Sequence, residues 1–400
     1  MDKEIFLEDF NRISKIGWTK EFGVNREALN EFDIKVRNAL IGELKKIGSS
    51  ISFDDAGNIY GSLNENETNA IIIGSHMDSV PNGGRFDGMY GVIAGLNVLK
   101  NFHINGIRKN LMLVDFTNEE GSRWQPDLQG SGIATGVFDK EFIYSRIDRE
   151  NKKFVDVLKA SGFQGKEENR IKNLNPEHFI ELHIEQGPVL EKEGYSIGIP
   201  YGIVTDIVDF YTFIGESNQA GPTPMNLRKD ALVGASRFIS EINEIAKKQT
   251  PNIVMTVGEI NNIPNIYSVI PSIVKLKLDI RSPDQHLAYE NASIVYEKAK
   301  CIAEDLGLTI NKERGWALNT TLFDEDLIKK IEKACKELDL KYKHIYSWAT
   351  HDAMYMNKIT STAMIMIPSH NGRSHTKEEF SSDEDMIAGL KVLKKVIDLI

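Results

Sequence analysis

At 400 residues, 41% hydrophobic and 26% charged, the chain is long enough for two packed cores, since a single core stops growing near roughly 250–300 residues. A formal net charge of -10, a pI near 5.5 and the lack of any long Lys/Arg cluster argue against a nucleic-acid or anionic-membrane partner. No apolar run approaches the roughly 18 residues of a membrane span. The opening Met1-Asp2-Lys3-Glu4 leads into no apolar secretion signal, and Cys301 and Cys335 lie alone in helix-like segments, so a cytoplasmic protein in a reducing compartment is expected.

In chain order, residues 70–73 form the first short apolar run with the character of a buried parallel strand, and a helical pattern follows at 92–99. Similar strand-like runs recur at 111–116 and 179–182. From about 208 to 318 the pattern changes: loose alternation at 208–213, a helix-like stretch at 228–248, strict alternation at 273–280 and a second helix around 288–306 predict a smaller α+β domain. A fourth buried strand is predicted at 363–367, and the chain closes on a helix. There Met386, Leu390, Leu393, Ile397 and Ile400 share one face after a Ser381-x-x-Glu384 capping signal. The fold class predicted is α/β: a largely parallel sheet flanked by helices, with the smaller α+β domain inserted into it.

Candidate chemistry falls at the strand ends. His76 follows the first strand, Glu119 and Glu120 the second, His183 the third, and His375 lies shortly after the fourth. Ligand crevices in open α/β sheets lie beyond the carboxyl ends of the strands, so these groups are expected on one rim. Asp87 joins them from the glycine-rich turn Pro81-Asn82-Gly83-Gly84-Arg85-Phe86-Asp87-Gly88.

Two borderline cations about 3.5–4 Å apart take imidazole and carboxylate ligands and share one carboxylate. We assign His76, Asp87 and His183 to one ion, and Asp87, Glu120 and His375 to the other. Of two successive carboxylates at a strand end only one readily faces a metal, which leaves Glu119 as general base. Asp78 is placed to accept the proton on the other ring nitrogen of His76. Each element alone has an ordinary explanation, a satisfied polar pair or a solvated surface; their shared position carries the weight. His351, in Ala349-Thr350-His351-Asp352-Ala353, is either a substrate or supporting residue or a helix-start contact.

The run Gly74-Ser75-His76-Met77-Asp78-Ser79-Val80-Pro81-Asn82-Gly83-Gly84 with Phe86-Asp87-Gly88 closely resembles the dinuclear-zinc aminoacylase and carboxypeptidase superfamily. Asn118-Glu119-Glu120-Gly121-Ser122-Arg123, Glu181-Leu182-His183-Ile184-Glu185-Gln186-Gly187-Pro188, Ala220-Gly221-x-Thr223-Pro224-Met225 and Ser374-His375 resemble its branch of N-carbamoyl-L-amino-acid hydrolases, allantoate amidohydrolases and β-ureidopropionases.

That resemblance implies a catalytic domain of residues 1–207 and 319–400 and an inserted lid of 208–318 that also pairs two subunits into a homodimer. It implies two divalent ions, zinc first, with manganese, cobalt and nickel as alternatives that such ligands discriminate poorly. The activity implied is hydrolysis of the C–N bond of a small N-carbamoyl amino acid. Glu119 would take a proton from the attacking water and return it to the leaving nitrogen. Arg281 matches an arginine that grips the substrate carboxylate, against a lid salt bridge with Asp279, and Gln186 matches a substrate-side position that would hydrogen-bond a ureido group, against a purely structural role.

The chain departs from the branch where Asn218-Gln219-Ala220-Gly221 replaces the usual histidine by Gln219, where Ser268 replaces asparagine, and where Thr350 replaces glycine. An amide donates a hydrogen bond but carries no positive charge, so Gln219 bears on oxyanion stabilisation. Altered specificity and reduced activity both account for these changes. The alternatives to a carbamoyl hydrolase are an aminoacylase or dipeptidase on the same scaffold, or a metal-retaining binding protein.

Overall fold

The computed structural model describes residues 2–63, 69–107 and 109–400, so Met1 of the opening stretch lies outside it. The chain divides into two compact units: Met1–Tyr201 with Leu322–Ser347 and His351–Ile400, and Gly202–Thr321 with Trp348–Thr350.

In the first unit four strands lie side by side and parallel in the order Ser361–Ile367, Pro176–Ile184, Ala70–His76 and Leu111–Phe116. Every residue of Ala70–His76 and of Leu111–Phe116 is buried, as expected of strands covered on both faces, and this is why they read as largely apolar runs, broken by Asp115 and by Ser75-His76 at the end of the first. Two antiparallel strands, Ile59–Leu63 and Ser50–Phe53, extend the sheet beyond Leu111–Phe116, making it mixed at its margin. Helices Met89–Ile104 and Asp383–Leu399 pack on the parallel strands, giving the α/β class expected.

The predicted cap of the final helix is displaced by one residue. Ser382, not Ser381, accepts the backbone N–H of Asp385, because the Ser381 hydroxyl donates to the Pro368 carbonyl.

The second unit is an antiparallel sheet in the order Val254–Ile263, Ile273–Ser282, Thr205–Ile214, Thr309–Leu318, with helices Ala231–Gln249 and Gln285–Asp305 packed on it. Val274, Leu276, Leu278 and Ile280 point into its core beside Tyr211, Phe213 and Phe238, while Lys275 and Lys277 face outward. Both helices begin where an aspartate, Asp230 or Asp284, accepts two backbone N–H groups. Among the described residues no helix is long and apolar enough to cross a membrane, and Cys301 and Cys335 are free thiols.

Candidate functional site

His76 is the last residue of its strand and His183 the penultimate residue of the neighbouring one, so both imidazoles emerge at the carboxyl edge of the sheet. Each ring is oriented by a backbone carbonyl at Nδ1, that of Asp78 at 3.0 Å for His76 and that of Ile184 at 2.9 Å for His183. Nδ1 therefore carries the donated proton, and Nε2 faces the site. His76 Nε2 lies 3.4 Å from Asp87 Oδ1 and 3.5 Å from Glu119 Oε2; His183 Nε2 lies 3.1 Å from Asp87 Oδ1.

The other oxygen of Asp87 faces the opposite way. Asp87 Oδ2 lies 3.3 Å from His375 Nε2, which is itself 3.4 Å from Glu120 Oε2. The ligand atoms of His76, Asp87 and His183 all lie within 4.8 Å of one another, as do those of Asp87, Glu120 and His375. Asp87 is common to both groups. Gly88 makes this convergence sterically feasible, because its φ is 60° and a Cβ there would stand 2.4 Å from His76 Nε2.

The donor set suits divalent cations. Imidazole lone pairs turned toward carboxylate oxygens at 3.1–3.5 Å repel unless a proton or a cation lies between them. The electrostatics say the same. Burial works against charge on His76, yet Glu119, Asp87 and Asp78 raise its pKa well above the usual imidazole range. His375, likewise opposed by burial, is brought up to about 10 by Asp87 and Glu120. Burial pushes Glu120 up to about 7 and Glu119 well above the ordinary carboxylate range, although His76 opposes the latter.

Asp78 differs from its expected geometry. Its carboxylate lies 3.8 Å from His76 Nδ1, outside hydrogen-bond range, and instead accepts the backbone N–H groups of Glu119 at 3.1 Å and Glu120 at 3.3 Å. The main-chain carbonyl of Asp78 is closer to the ring and takes the proton assigned to the side chain.

Gln186, with φ of 60°, reaches into the cluster and donates through Nε2 to Asp87 Oδ2 at 2.6 Å. The His351 ring centroid lies 4.4 Å from that of His183, and its buried Nε2 has no hydrogen-bond partner among the described residues. His351 also accepts the N–H of Met354 through its carbonyl, so it both borders the site and closes the turn that leads into the short helix Ala353–Met356.

Gln219, Ser268 and Arg281 belong to the second unit. Gln219 is exposed and bridges to Val269, and the Ser268 carbonyl accepts the Ala220 N–H. Arg281 is engaged by Asp279, at 2.8 Å from Nη2, and by the Trp348 carbonyl at 2.7 Å from Nη1.

Two buried carboxylates escaped the sequence reading as site residues. Glu181 accepts the Ser75 hydroxyl and the Ala353 N–H, and one of its oxygens lies within 4.8 Å of ring nitrogens of His183 and His351. Glu379 joins the Asp87 turn to the His375 loop. Glu181 sits two residues before His183, a carboxylate between the apolar Phe179-Ile180 and Leu182 and so a visible anomaly; Glu379 lies in an acidic surface-like stretch and gives no such signal.

Residues 72–399 match the family model described as Peptidase family M20/M25/M40. The chain belongs to this family. An N-carbamoyl-L-amino-acid amidohydrolase of Pseudomonas sp. (strain NS671) is 34% identical to it, over 99% of this chain and 98% of that one. The allantoate amidohydrolase of Escherichia coli (strain K12) is 32% identical, over 86% of this chain and 85% of its own. A crystal structure of an amidase of the hydantoinase/carbamoylase family from Burkholderia vietnamiensis superposes with a TM-score of 0.90 at 33% identity, covering 99% and 96% of the two chains. The M20 chain is thus a hydrolase of the carbamoylase and allantoate amidohydrolase branch that its motifs resemble.

Proposed function

We propose that this M20 hydrolase cleaves the C–N bond of a small N-carbamoyl amino acid, giving the free amino acid, ammonia and carbon dioxide. The observation that carries the reading is Asp87, whose two oxygens face two separate imidazole-containing groups. Two divalent cations, zinc first with manganese, cobalt or nickel as alternatives, would be held by His76, Asp87 and His183 and by Asp87, Glu120 and His375, and would polarise the scissile carbonyl and acidify water toward a pKa of about 7.

Glu119 is assigned the proton transfers: it takes a proton from the attacking water and delivers it to the leaving nitrogen. Its burial, which favours the protonated form, suits it to hold that proton between the two steps. Gln186, whose amide already reaches Asp87, is assigned a hydrogen bond to the ureido group, and His351 a place beside the substrate. Residues 208–318 are assigned the roles of lid and homodimer contact. From there Arg281 would exchange Asp279 for the substrate carboxylate, with Gln219 and Ser268 donating hydrogen bonds. The names of the relatives, an N-carbamoyl-L-amino-acid amidohydrolase and an allantoate amidohydrolase, support a ureido substrate over an acyl or peptide one. A cytoplasmic site of action fits the two unpaired thiols.

The test is a comparison of N-carbamoyl, N-acetyl and dipeptide substrates by kcat/KM, on protein stripped by chelation and reloaded with each metal. Activity restored by a divalent ion and greatest on a carbamoyl substrate is expected. Full activity after chelation would overturn the metal assignment, and a preference for acetyl or dipeptide substrates would favour an aminoacylase or dipeptidase.

A further inference from the structure

Glu379 is only 5% exposed, and its single carboxylate serves two loops. Oε1 accepts the backbone N–H of Phe86 at 2.8 Å and of Asp87 at 3.1 Å. Oε2 lies 2.9 Å from the Ser374 hydroxyl and 3.3 Å from the backbone N–H of His375. The contact thus ties together residues 292 apart in the chain, namely the turn bearing the shared carboxylate and the loop bearing the last imidazole.

Two further observations show that this seat is built around the carboxylate. A Cβ on Gly84 would stand 2.0 Å from Glu379 Oε1 and 2.4 Å from its Cβ, so the turn tolerates only glycine where Glu379 passes. His375 has φ of 56°, a left-handed backbone that a residue with a Cβ holds only when its surroundings impose it. The accepted N–H of His375 is one such constraint. The Ser374 hydroxyl is 2.9 Å from both Asp87 Oδ2 and Glu379 Oε2, and its one proton is donated to one of these carboxylates at a time.

We propose that Glu379 is a positioning residue that sets the Asp87, Glu120 and His375 group for its cation, by holding Asp87 and His375 in register through their backbone N–H groups. The inference rests on the two-ion reading above. Glu379→Gln discriminates, since an amide keeps one acceptor oxygen: it can serve one loop while its NH2 meets the N–H of the other, donor against donor. One loop is released and the other remains.

The experiment measures zinc bound per chain by elemental analysis after dialysis against a weak chelator, with near-UV circular dichroism and melting of the metal-free proteins alongside. Two ions on the wild type, with the second bound at least tenfold more weakly in Glu379→Gln while the dichroism of the metal-free protein is unchanged, is the expected result. Cobalt loading gives an independent readout, because the visible absorption of the more weakly held ion disappears first. Two ions held by the variant with wild-type affinity overturn the role of Glu379. A wild type that takes up none of zinc, manganese, cobalt and nickel overturns the two-ion reading and this inference with it. Should Glu379→Gln be unfolded, Glu379→Asp carries the test, because a carboxylate one methylene shorter cannot reach both loops: weaker binding of one ion is expected, and unchanged binding of both overturns the proposal.

Discussion

The Asp78 carboxylate grips Glu119 by its backbone, with Oδ1 3.1 Å from the Glu119 N–H. Its other oxygen takes the N–H of Glu120 at 3.3 Å, so one buried side chain sets both strand-end carboxylates. Removing it leaves two amide donors without acceptors next to the proposed base. Asp78→Ala is predicted to lower stability by about 2–6 kcal/mol, at roughly 1–3 kcal/mol for each of the two unsatisfied groups. It should also lower kcat more than it changes KM. Urea unfolding and steady-state kinetics check the two parts separately, and a variant with wild-type kcat would show that the register of Glu119 does not depend on this contact.

Glu119→Gln preserves shape and removes the proton acceptor. A loss of roughly 10²–10⁴ in kcat is expected from general-base catalysis. Metal content should stay at the wild-type level, because Glu119 is not among the residues assigned as ligands. Loss of an ion together with activity would instead make Glu119 a ligand.

Gln219 stands where, by the resemblance of its motif, the branch would carry histidine. Gln219→His adds a group able to carry positive charge, and is predicted to raise kcat on N-carbamoyl substrates toward the roughly 100-fold that one oxyanion donor is worth. Steady-state assays of both proteins on the same substrate series decide it. An unchanged rate across the series would mean that the native substrate uses the glutamine amide itself.

The two thiols should behave oppositely. Cys301 is exposed, whereas burial pushes the Cys335 thiol up to about 12. Iodoacetamide at pH 8 is predicted to label Cys301 in the native protein and Cys335 only after denaturation, because the thiolate is the nucleophile. Peptide mass spectrometry reads this directly, and rapid native labelling of Cys335 would contradict the packing of its helix.

Some of the fold is legible from near neighbours in the chain. Ala70–His76 is apolar almost throughout because both faces of its strand are covered, and Ile273–Ser282 alternates because only one face is. Ser50–Phe53 and Ile59–Leu63 escaped notice, since each is short and carries serine, and Ile59–Leu63 also holds a glycine; their pairing with each other and with Leu111–Phe116 makes them strands.

The sequence by itself determined that the candidate site residues stand at strand ends: His76, Glu119, Glu120 and His183 follow apolar runs whose periodicity is a property of consecutive side chains. Only the tertiary structure decided how those groups are held. That the Asp78 carbonyl rather than its carboxylate orients His76, and that Glu379 spans the Asp87 turn and the His375 loop, depends on distances between segments far apart in the chain. Hydrogen bonds act over about 3 Å, so their partners exist only once packing has brought those segments together.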